Sequence, residues 1–298
     1  MEATISSIMN HRSVHMRDRA SVEKKLRHLI SGGDRQFAVI SDFDFTLTRF
    51  VDERGNKCLT SHSVVDQLLI SLHPELEEMI HTRTKKYSAI EFDTNMTKED
   101  KIPYMIEWWT LAHNNYIASG IHKDDIERAV QHSKIELRDG AMALLHHLIR
   151  SSIPLLLFSA GVGNVIEAFL RQHLHSLPDN IHIISNMLIF DEEGKAVGIS
   201  EPLIHVFCKD SSVIPRNAPF FDDIAHRGNI LLLGDSLGDL HMDVGVPHSG
   251  TVLKIGFLNV KKDIVLEKFL DGFDMVLVED PTMDVPDLIL QAVLKNSE

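Results

Sequence analysis

Two carboxylates one residue apart stand where an apolar run ends, in Ser41-Asp42-Phe43-Asp44-Phe45-Thr46-Leu47-Thr48. At a strand end, where the chain leaves the ladder, both can approach one bound group. An aspartate is a competent nucleophile toward phosphorus. A second one can act as acid toward the leaving oxygen and then as base toward water. An acidic turn or a structural cation site would carry the same residues. A further acidic pair lies in Gly234-Asp235-Ser236-Leu237-Gly238-Asp239, after the apolar run Asn229 to Leu233. Glycines beside carboxylates suit a hard cation such as Mg2+, which takes oxygen ligands in octahedral geometry, although a Gly/Asp turn is also ordinary scaffolding. Between the two pairs, Phe158-Ser159-Ala160-Gly161-Val162-Gly163-Asn164 offers a hydroxyl, amides released by small residues and a helix start, the parts of a phosphate nest. It is not a dinucleotide fingerprint, because Ile166 stands where the third glycine belongs. Lys209, within His205 to Asp210, would on its own be a solvated side chain. Beside three acidic or phosphate-binding loops it is the cation that a five-coordinate phosphorus needs.

These groups meet only if strands deliver them to one edge of a sheet. Phe37 to Ser41 reads as a short buried strand ending at Asp42, and Ser21 to Ile30 before it as a helix, with Ser21 as cap and Gly32-Gly33 as stop. From about Leu137 the runs IPLLLF, HIIS, NILLLG, TVLKIGF and DMVLVE alternate with helices near Asn164 to His175, Val260 to Leu270 and Val285 to Leu294. That rhythm belongs to βαβ units and a mostly parallel sheet. NMLIFDEEGKAVGIS interrupts it as a hairpin around Glu193-Gly194. Between Ser61 and Ser133 the apolar spacing is helical, and Pro103 falls inside one of those helices as a first-turn residue or a kink. The reading is an α/β core of residues 1–50 and 137–298 with a helical cap, 51–136, inserted after the first core strand. In such sheets ligands sit beyond the carboxyl ends of the strands, so the insert lies over the chemistry as a lid.

Composition narrows the function classes. The 298 residues suit about two domains. With 30 basic and 43 acidic residues the net charge is −13, against non-specific binding to a nucleic acid polymer or an anionic membrane face. A small anion remains compatible, because a local metal, lysine and amides outweigh distant charge. The absence of a long apolar stretch or signal peptide, and only two cysteines, Cys58 and Cys208, point to a cytoplasmic protein. Neither His146-His147 nor His173-x-His175 makes a metal constellation, and no obligate protein partner is evident.

Asp42-x-Asp44-x-Thr46, Ser159, Lys209 and Asp235-x-x-x-Asp239 together resemble the haloacid dehalogenase-like phosphohydrolases, whose core is Rossmann-type. The wider set ISDFDFTLTRF, YSAIEFDTNMT, IPYMIEWWTLAH, IPLLLFSAGVGNVIE, ILLLGDSLGDLHMDVGV and VLKIGFLN is similar to the cytosolic 5′-nucleotidase III family, with pyrimidine and 7-methylguanosine phosphate-specific branches. The resemblance implies Mg2+-dependent hydrolysis of nucleoside 5′-monophosphates through an aspartyl-phosphate, with phosphotransfer to a second nucleoside as a side reaction. It makes Asp42 the nucleophile and a metal ligand, and Asp44 the acid/base, its backbone carbonyl also on Mg2+. Asp235 becomes the other protein ligand, and Asp239 holds a metal-bound water or orients Lys209. Ser159 and the Ala160 amide bind phosphate with Lys209, and Thr46 supports the nucleophile loop. In the lid it makes Glu91 the reader of exocyclic amino groups, and the His62 and Trp109 rings a sandwich for the base; one helical step turns Trp109 by about 100° from Trp108, so with Trp108 facing inward Trp109 can face the cleft. Without the resemblance, Glu91 reads as a solvated charge and Trp109 as lid packing. Phe45 stands where the family often has Met. Trp109 belongs with the 7-methylguanosine branch and His62 with the pyrimidine branch, so base preference is open. The alternatives are a phosphatase for another small metabolite and a nonenzymatic nucleotide-binding module.

Overall fold

The computed structural model describes residues 1–93, 95–214, 218–246 and 249–297. Its strands are β1 (Val14–His15), β2 (Phe37–Ser41), β3 (Leu155–Val162), β4 (Ile181–Asn186), β5 (Leu188–Phe190), β6 (Ala196–Ile199), β7 (Asn229–Gly234), β8 (Val252–Leu258) and β9 (Met275–Val278). Among the described residues seven strands form one sheet in the order β1-β9-β8-β7-β2-β3-β4. Every pairing from β8/β9 across to β3/β4 is parallel, and only the short edge strand β1 runs antiparallel, against β9. β2, β3 and β7 are buried at every position, as expected of parallel strands covered by helices on both faces. The strands bearing Asp42, Ser159 and Asp235 are therefore immediate neighbours, β3-β2-β7, with their carboxyl ends on one edge. β5 and β6 form the separate antiparallel hairpin expected around Gly194, whose φ of 83° needs glycine.

The helices are α1 (Glu2–Met9), α2 (Arg19–Gly32), α3 (Ser61–Leu72), α4 (Glu77–Glu91), α5 (Lys98–Ala118), α6 (Lys123–His132), α7 (Ala141–Arg150), α8 (Gly163–Leu174), α9 (Pro219–Ile224), α10 (Asp263–Gly272) and α11 (Asp284–Lys295). Helices α3 to α6 make up the insert between β2 and α7. One apolar cluster runs from Val39 and Leu157 of the sheet through Val165 and Phe169 of α8 to Val64, Val65, Ile126 and Val130 of the insert. A second joins Ile40 and Phe158 to Met105 and Trp109 of α5. The insert thus rests on the sheet's end from two sides, which holds it over the strand termini.

Local departures from expectation have local causes. α2 begins two residues before Ser21, because Asp18 is the capping residue and accepts the Ser21 amide at 2.9 Å. Pro103 lies in the second turn of α5, neither at its start nor at its end. α10 starts at Asp263, after a loop holding Val260. Helices α1 and α7, absent from the sequence reading, bury Ile5, Ile8 and Met9, and Ala141, Leu144, Leu145 and Leu148, respectively.

Candidate active site

The loop after β2 is shaped before it is charged. The Asp42 amide donates to Leu233 O at 3.0 Å, fastening the end of β2 to that of β7. A wide turn follows, closed by Thr48 N–H to Phe43 O, and Phe45 adopts the left-handed φ of 62°. That conformation is costly for a bulky residue and persists where its surroundings enforce it. Here the buried Arg138 guanidinium donates to Phe45 O (2.6 Å) and Thr46 O (2.7 Å), while Asn259 Nδ2 donates to Phe45 O (3.0 Å) and Asp235 Oδ2 (3.2 Å). One arginine and one asparagine therefore lock the carboxylate loop and tie it to Asp235. Thr46 is fully enclosed, its hydroxyl without a partner among the described residues, and lies outside the pocket lining. It packs the loop behind the pocket wall.

Asp42, Asp235 and Asp239 bring carboxylate oxygens within 4.8 Å of one another. Lys209, 5% exposed, donates to Asp42 Oδ1 and, at 2.7 Å, to Asp239 Oδ1. Asp239 Oδ2 is already taken by the Asp235 and Ser236 amides and the Ser236 hydroxyl, at 2.9–3.1 Å. Asp239 is thus bound on one side to Lys209 and on the other to the Asp235–Ser236 turn. Burial pushes Asp42 up to about 7 against the pull of Lys209. It raises Asp235 well above the usual carboxylate range, reinforced by the charges of Asp42 and Asp239. Burial also opposes charge on Lys209, but Asp239 and Asp42 outweigh it and hold its pKa above the ordinary lysine value. With one lysine among three carboxylates, Asp42 and Asp235 ionise only against the cost of burial, a cost that a bound cation would offset. Hard oxygen donors in that state fit a divalent cation such as Mg2+, with Asp42 and Asp235 the carboxylates least engaged by hydrogen bonds. Asp44 sits apart: Ser61 N–H and Oγ–H bind its two oxygens at 2.8 and 2.6 Å, and burial, opposed by those bonds, raises it to about 6.

The segment read from the sequence as a phosphate nest leaves the sheet through a break in strand pairing. β3 pairs with β4 up to Phe158 and again at Val162, with a register shift between, so Ser159, Ala160 and Gly161 leave the regular ladder. Ser159 Oγ accepts the Gly161 amide at 3.0 Å. Asn186, at the end of β4, donates to Ala160 O (2.9 Å) and Ile204 O (2.8 Å) and accepts Ile204 N–H (2.9 Å). It staples the nest to the segment that leads to Lys209.

A cavity of about 260 Å³ runs from Asp42, Asp44, Lys209 and Asp235 past Ser159 to the insert, where Glu91, Trp108 and Trp109 line it. Glu91, at the end of α4, offers a carboxylate with no hydrogen-bond partner among the described residues, and burial pushes it up to about 7 against Lys101, Lys209 and Lys57. His62 and Trp109 stand edge to face, centroids 5.5 Å apart at 87°, because Trp109 Nε1 donates to Ala160 O (2.7 Å) and His62 Nε2 lies 3.3 Å from the same oxygen. They make one corner of the pocket. Trp109 is also the more buried of the two tryptophans. Partly buried Trp108 lies flat on Tyr87, 5.7 Å and 14°, and it too faces the cavity.

The structure thus gathers Asp42, Asp44, Ser159, Ala160, Lys209, Asp235 and Asp239 at one strand edge and sets Glu91, His62 and Trp109 across the cavity. Sequence reasoning missed Ser61, Arg138, Asn186 and Asn259. Ser61, three residues after Cys58 in a polar stretch, carried a helix-start signal but no chemical one.

A mostly parallel α/β sheet with two acidic loops, a small-residue bulge and a buried lysine at its carboxyl edge, under a helical insert, defines a hydrolase of the haloacid dehalogenase-like superfamily. Residues 45–294 match the family described as Pyrimidine 5'-nucleotidase (UMPH-1), and the chain belongs to that family. It is 44% identical, over 96% of its length and 77% of the relative's, to a Putative cytosolic 5'-nucleotidase 3 of Caenorhabditis elegans. It is 38% identical to a 7-methylguanosine phosphate-specific 5'-nucleotidase of Rattus norvegicus, covering 100% of this chain and 98% of that one. The crystal structure of cytosolic 5'-nucleotidase IIIB bound to cytidine superposes with a TM-score of 0.90 at 34% identity, over 98% of each chain.

Proposed function

We propose that the protein hydrolyses nucleoside 5′-monophosphates, pyrimidine ones such as CMP and UMP, 7-methyl-GMP, or both, to nucleoside and phosphate. The observation that carries this reading is the single cavity joining the Asp42–Lys209–Asp235 cluster to the Glu91 and Trp109 walls, the two halves that a nucleotide has. In this reading Asp42 attacks phosphorus while Asp44 gives a proton to the departing 5′-oxygen. Asp44 then takes a proton from the water that opens the aspartyl-phosphate. Lys209 balances the charge that builds on the phosphoryl oxygens, with the Ser159 hydroxyl and the Ala160 amide as further donors. Asp42 and Asp235, with the Asp44 backbone carbonyl, would hold Mg2+, which when bound keeps an anionic nucleophile and an anionic phosphate together. Residues 51–136 carry base recognition: Glu91 accepts from ring amino groups, Trp109 or Trp108 stacks, and His62 borders the corner. The free cysteines and relatives named cytosolic support a cytoplasmic setting; among the described residues no helix is long and apolar enough to cross a membrane.

The test is phosphate release from CMP, UMP, AMP, GMP and 7-methyl-GMP, with phosphoserine and a sugar phosphate alongside, in Mg2+ and in EDTA. Nucleotides turned over in Mg2+ only, and base-free esters far more slowly, are expected. Equal rates on the base-free esters would reassign the insert, and no turnover at all would leave a binding module.

A further inference from the structure

The first turn of the insert reaches into the catalytic loop through Ser61. This residue is fully buried at the first position of α3, where a helix amide has no partner inside its own helix. Its N–H donates to Asp44 Oδ1 at 2.8 Å and its hydroxyl to Asp44 Oδ2 at 2.6 Å, while the hydroxyl oxygen accepts Val162 N–H at 3.1 Å. Three parts of the fold therefore close on one oxygen: the loop after β2, the start of the lid and the nest at the end of β3. Room for this comes from Gly161, where a Cβ would stand 1.9 Å from Ser61 Oγ and 2.9 Å from Asp44 Oδ2. Two hydrogen bonds from one residue fix the carboxyl plane of Asp44 as well as its position. They also tell its oxygens apart. Oδ1 faces an amide, which only donates, whereas Oδ2 faces a hydroxyl, which can donate or accept.

We propose that Ser61 is a positioning residue for proton transfer: it seats Asp44 so that Oδ2 is the oxygen that exchanges the proton, and it makes that seat depend on the lid lying against β3. The proposal rests on the acid–base reading of Asp44. The step served is one in which the Asp42 oxygen–phosphorus bond forms, the bond from phosphorus to the 5′-oxygen breaks, and the proton on Asp44 moves to that oxygen. A lid displaced from β3 carries Ser61 away, so an Asp44 not yet covered by lid and substrate loses the contact that aims it.

A structural role and a proton-positioning role separate on the leaving group. CMP expels an alkoxide that needs a proton, whereas 5′-thio-CMP, with sulfur bridging C5′ and phosphorus, expels a thiolate, stable with little protonic help. First-turnover release of cytidine or 5′-thiocytidine is measured for the wild type, Ser61→Ala and Asp44→Asn, each in Mg2+. Ser61→Ala keeps the amide bond and loses one charge-assisted hydrogen bond, so release from CMP is expected to fall about 10- to 100-fold, with release from the thio analogue within about threefold of the wild type. Asp44→Asn is expected to show the same split, more deeply. Equal losses on both substrates in Ser61→Ala would make the serine lid packing, and no loss on either would make it a bystander. Both results overturn the proposal while Asp44→Asn still splits. An unsplit loss in Asp44→Asn overturns the acid–base reading itself, and the proposal with it.

Discussion

Glu91 is a side chain whose chemistry changes across neutral pH. Burial pushes it up to about 7, so at pH 8 it is a carboxylate that accepts hydrogen bonds, and at pH 6 mostly a carboxylic acid that donates one. Cytosine presents an amino donor where uracil presents a carbonyl acceptor. As pH falls from 8 to 6, kcat/KM for CMP relative to UMP should therefore fall, by about tenfold where only CMP depends on the ionised form and up to about a hundredfold where UMP also gains from the acid form. Taking the ratio removes the ionisation of the phosphate, which both substrates share. Glu91→Gln, whose amide both donates and accepts, should flatten the ratio, and a ratio equally pH-dependent in that variant would remove Glu91 from the base site. At the phosphoryl end, Asp42→Asn should abolish phosphate release, because an amide neither attacks phosphorus nor holds a cation as a carboxylate does. Lys209→Met should lower kcat by roughly 10²-fold or more and change cytidine binding little, since the lysine faces Asp42 and Asp239 and not the insert; an unchanged kcat would contradict its place here.

At the scale of elements, the site depends on loops that interlock by backbone contact. A Cβ on Gly238, in the turn between Asp235 and Asp239, would sit 2.0 Å from the Val206 carbonyl, three residues before Lys209. That obstacle is backbone and cannot rotate aside. Gly238→Ala should thus shift the Lys209 segment, lowering Tm by on the order of 5 °C and phosphate release with it; a calorimetric scan beside a rate assay checks both, and an unaltered pair would mean the two loops part freely. The same interlocking explains what the chain revealed of itself. Strands β2, β3 and β7 were legible because burial on both faces demands unbroken apolar runs, and Asp42, Asp44, Asp235 and Lys209 because few residue types perform their chemistry. The short edge strand β1 has two residues and no such run. Helix α7 did carry helical spacing, at Ala141, Leu144, Leu145 and Leu148, which the alternating strand rhythm around it obscured. Arg138, Asn186 and Asn259 were illegible for another reason. They act on main-chain carbonyls and side chains brought near only by the sheet, Arg138 on Phe45 from 93 positions away, and no local spacing announces that. The ring geometry at Ala160 O was equally beyond reach, because it is set by a strand bulge that the composition of FSAGVGN permits and does not dictate.

Across the whole molecule, a chain of net charge −13 places its most crowded acidic residues where water is scarcest, and that arrangement has a thermodynamic signature. The folded values of Asp42 and Asp235 lie above the ordinary value of 3.8, first because of burial. For an acid raised in the folded state, the associated stability is fully present below the unfolded value and is lost as pH rises through the folded one, about 7 for Asp42. Protein in EDTA should accordingly lose stability between about pH 4 and pH 7 through these two groups. A divalent cation binds their ionised forms, so its grip tightens over the same interval and it stabilises the fold by mass action, about 2.7 kcal/mol at a free concentration one hundred times its Kd. The Tm difference between Mg2+ and EDTA should thus widen from pH 6 to pH 8. Calorimetric titration of the metal-free protein with Mg2+ near pH 6.5, in two buffers of different ionisation enthalpy, should show net proton release, and Asp42→Asn should release fewer protons. Proton release unchanged in that variant would mean that Mg2+ binds away from Asp42. A Tm difference that narrows as pH rises would mean that the acidic edge of the sheet is already neutralised by its own lysine and arginine.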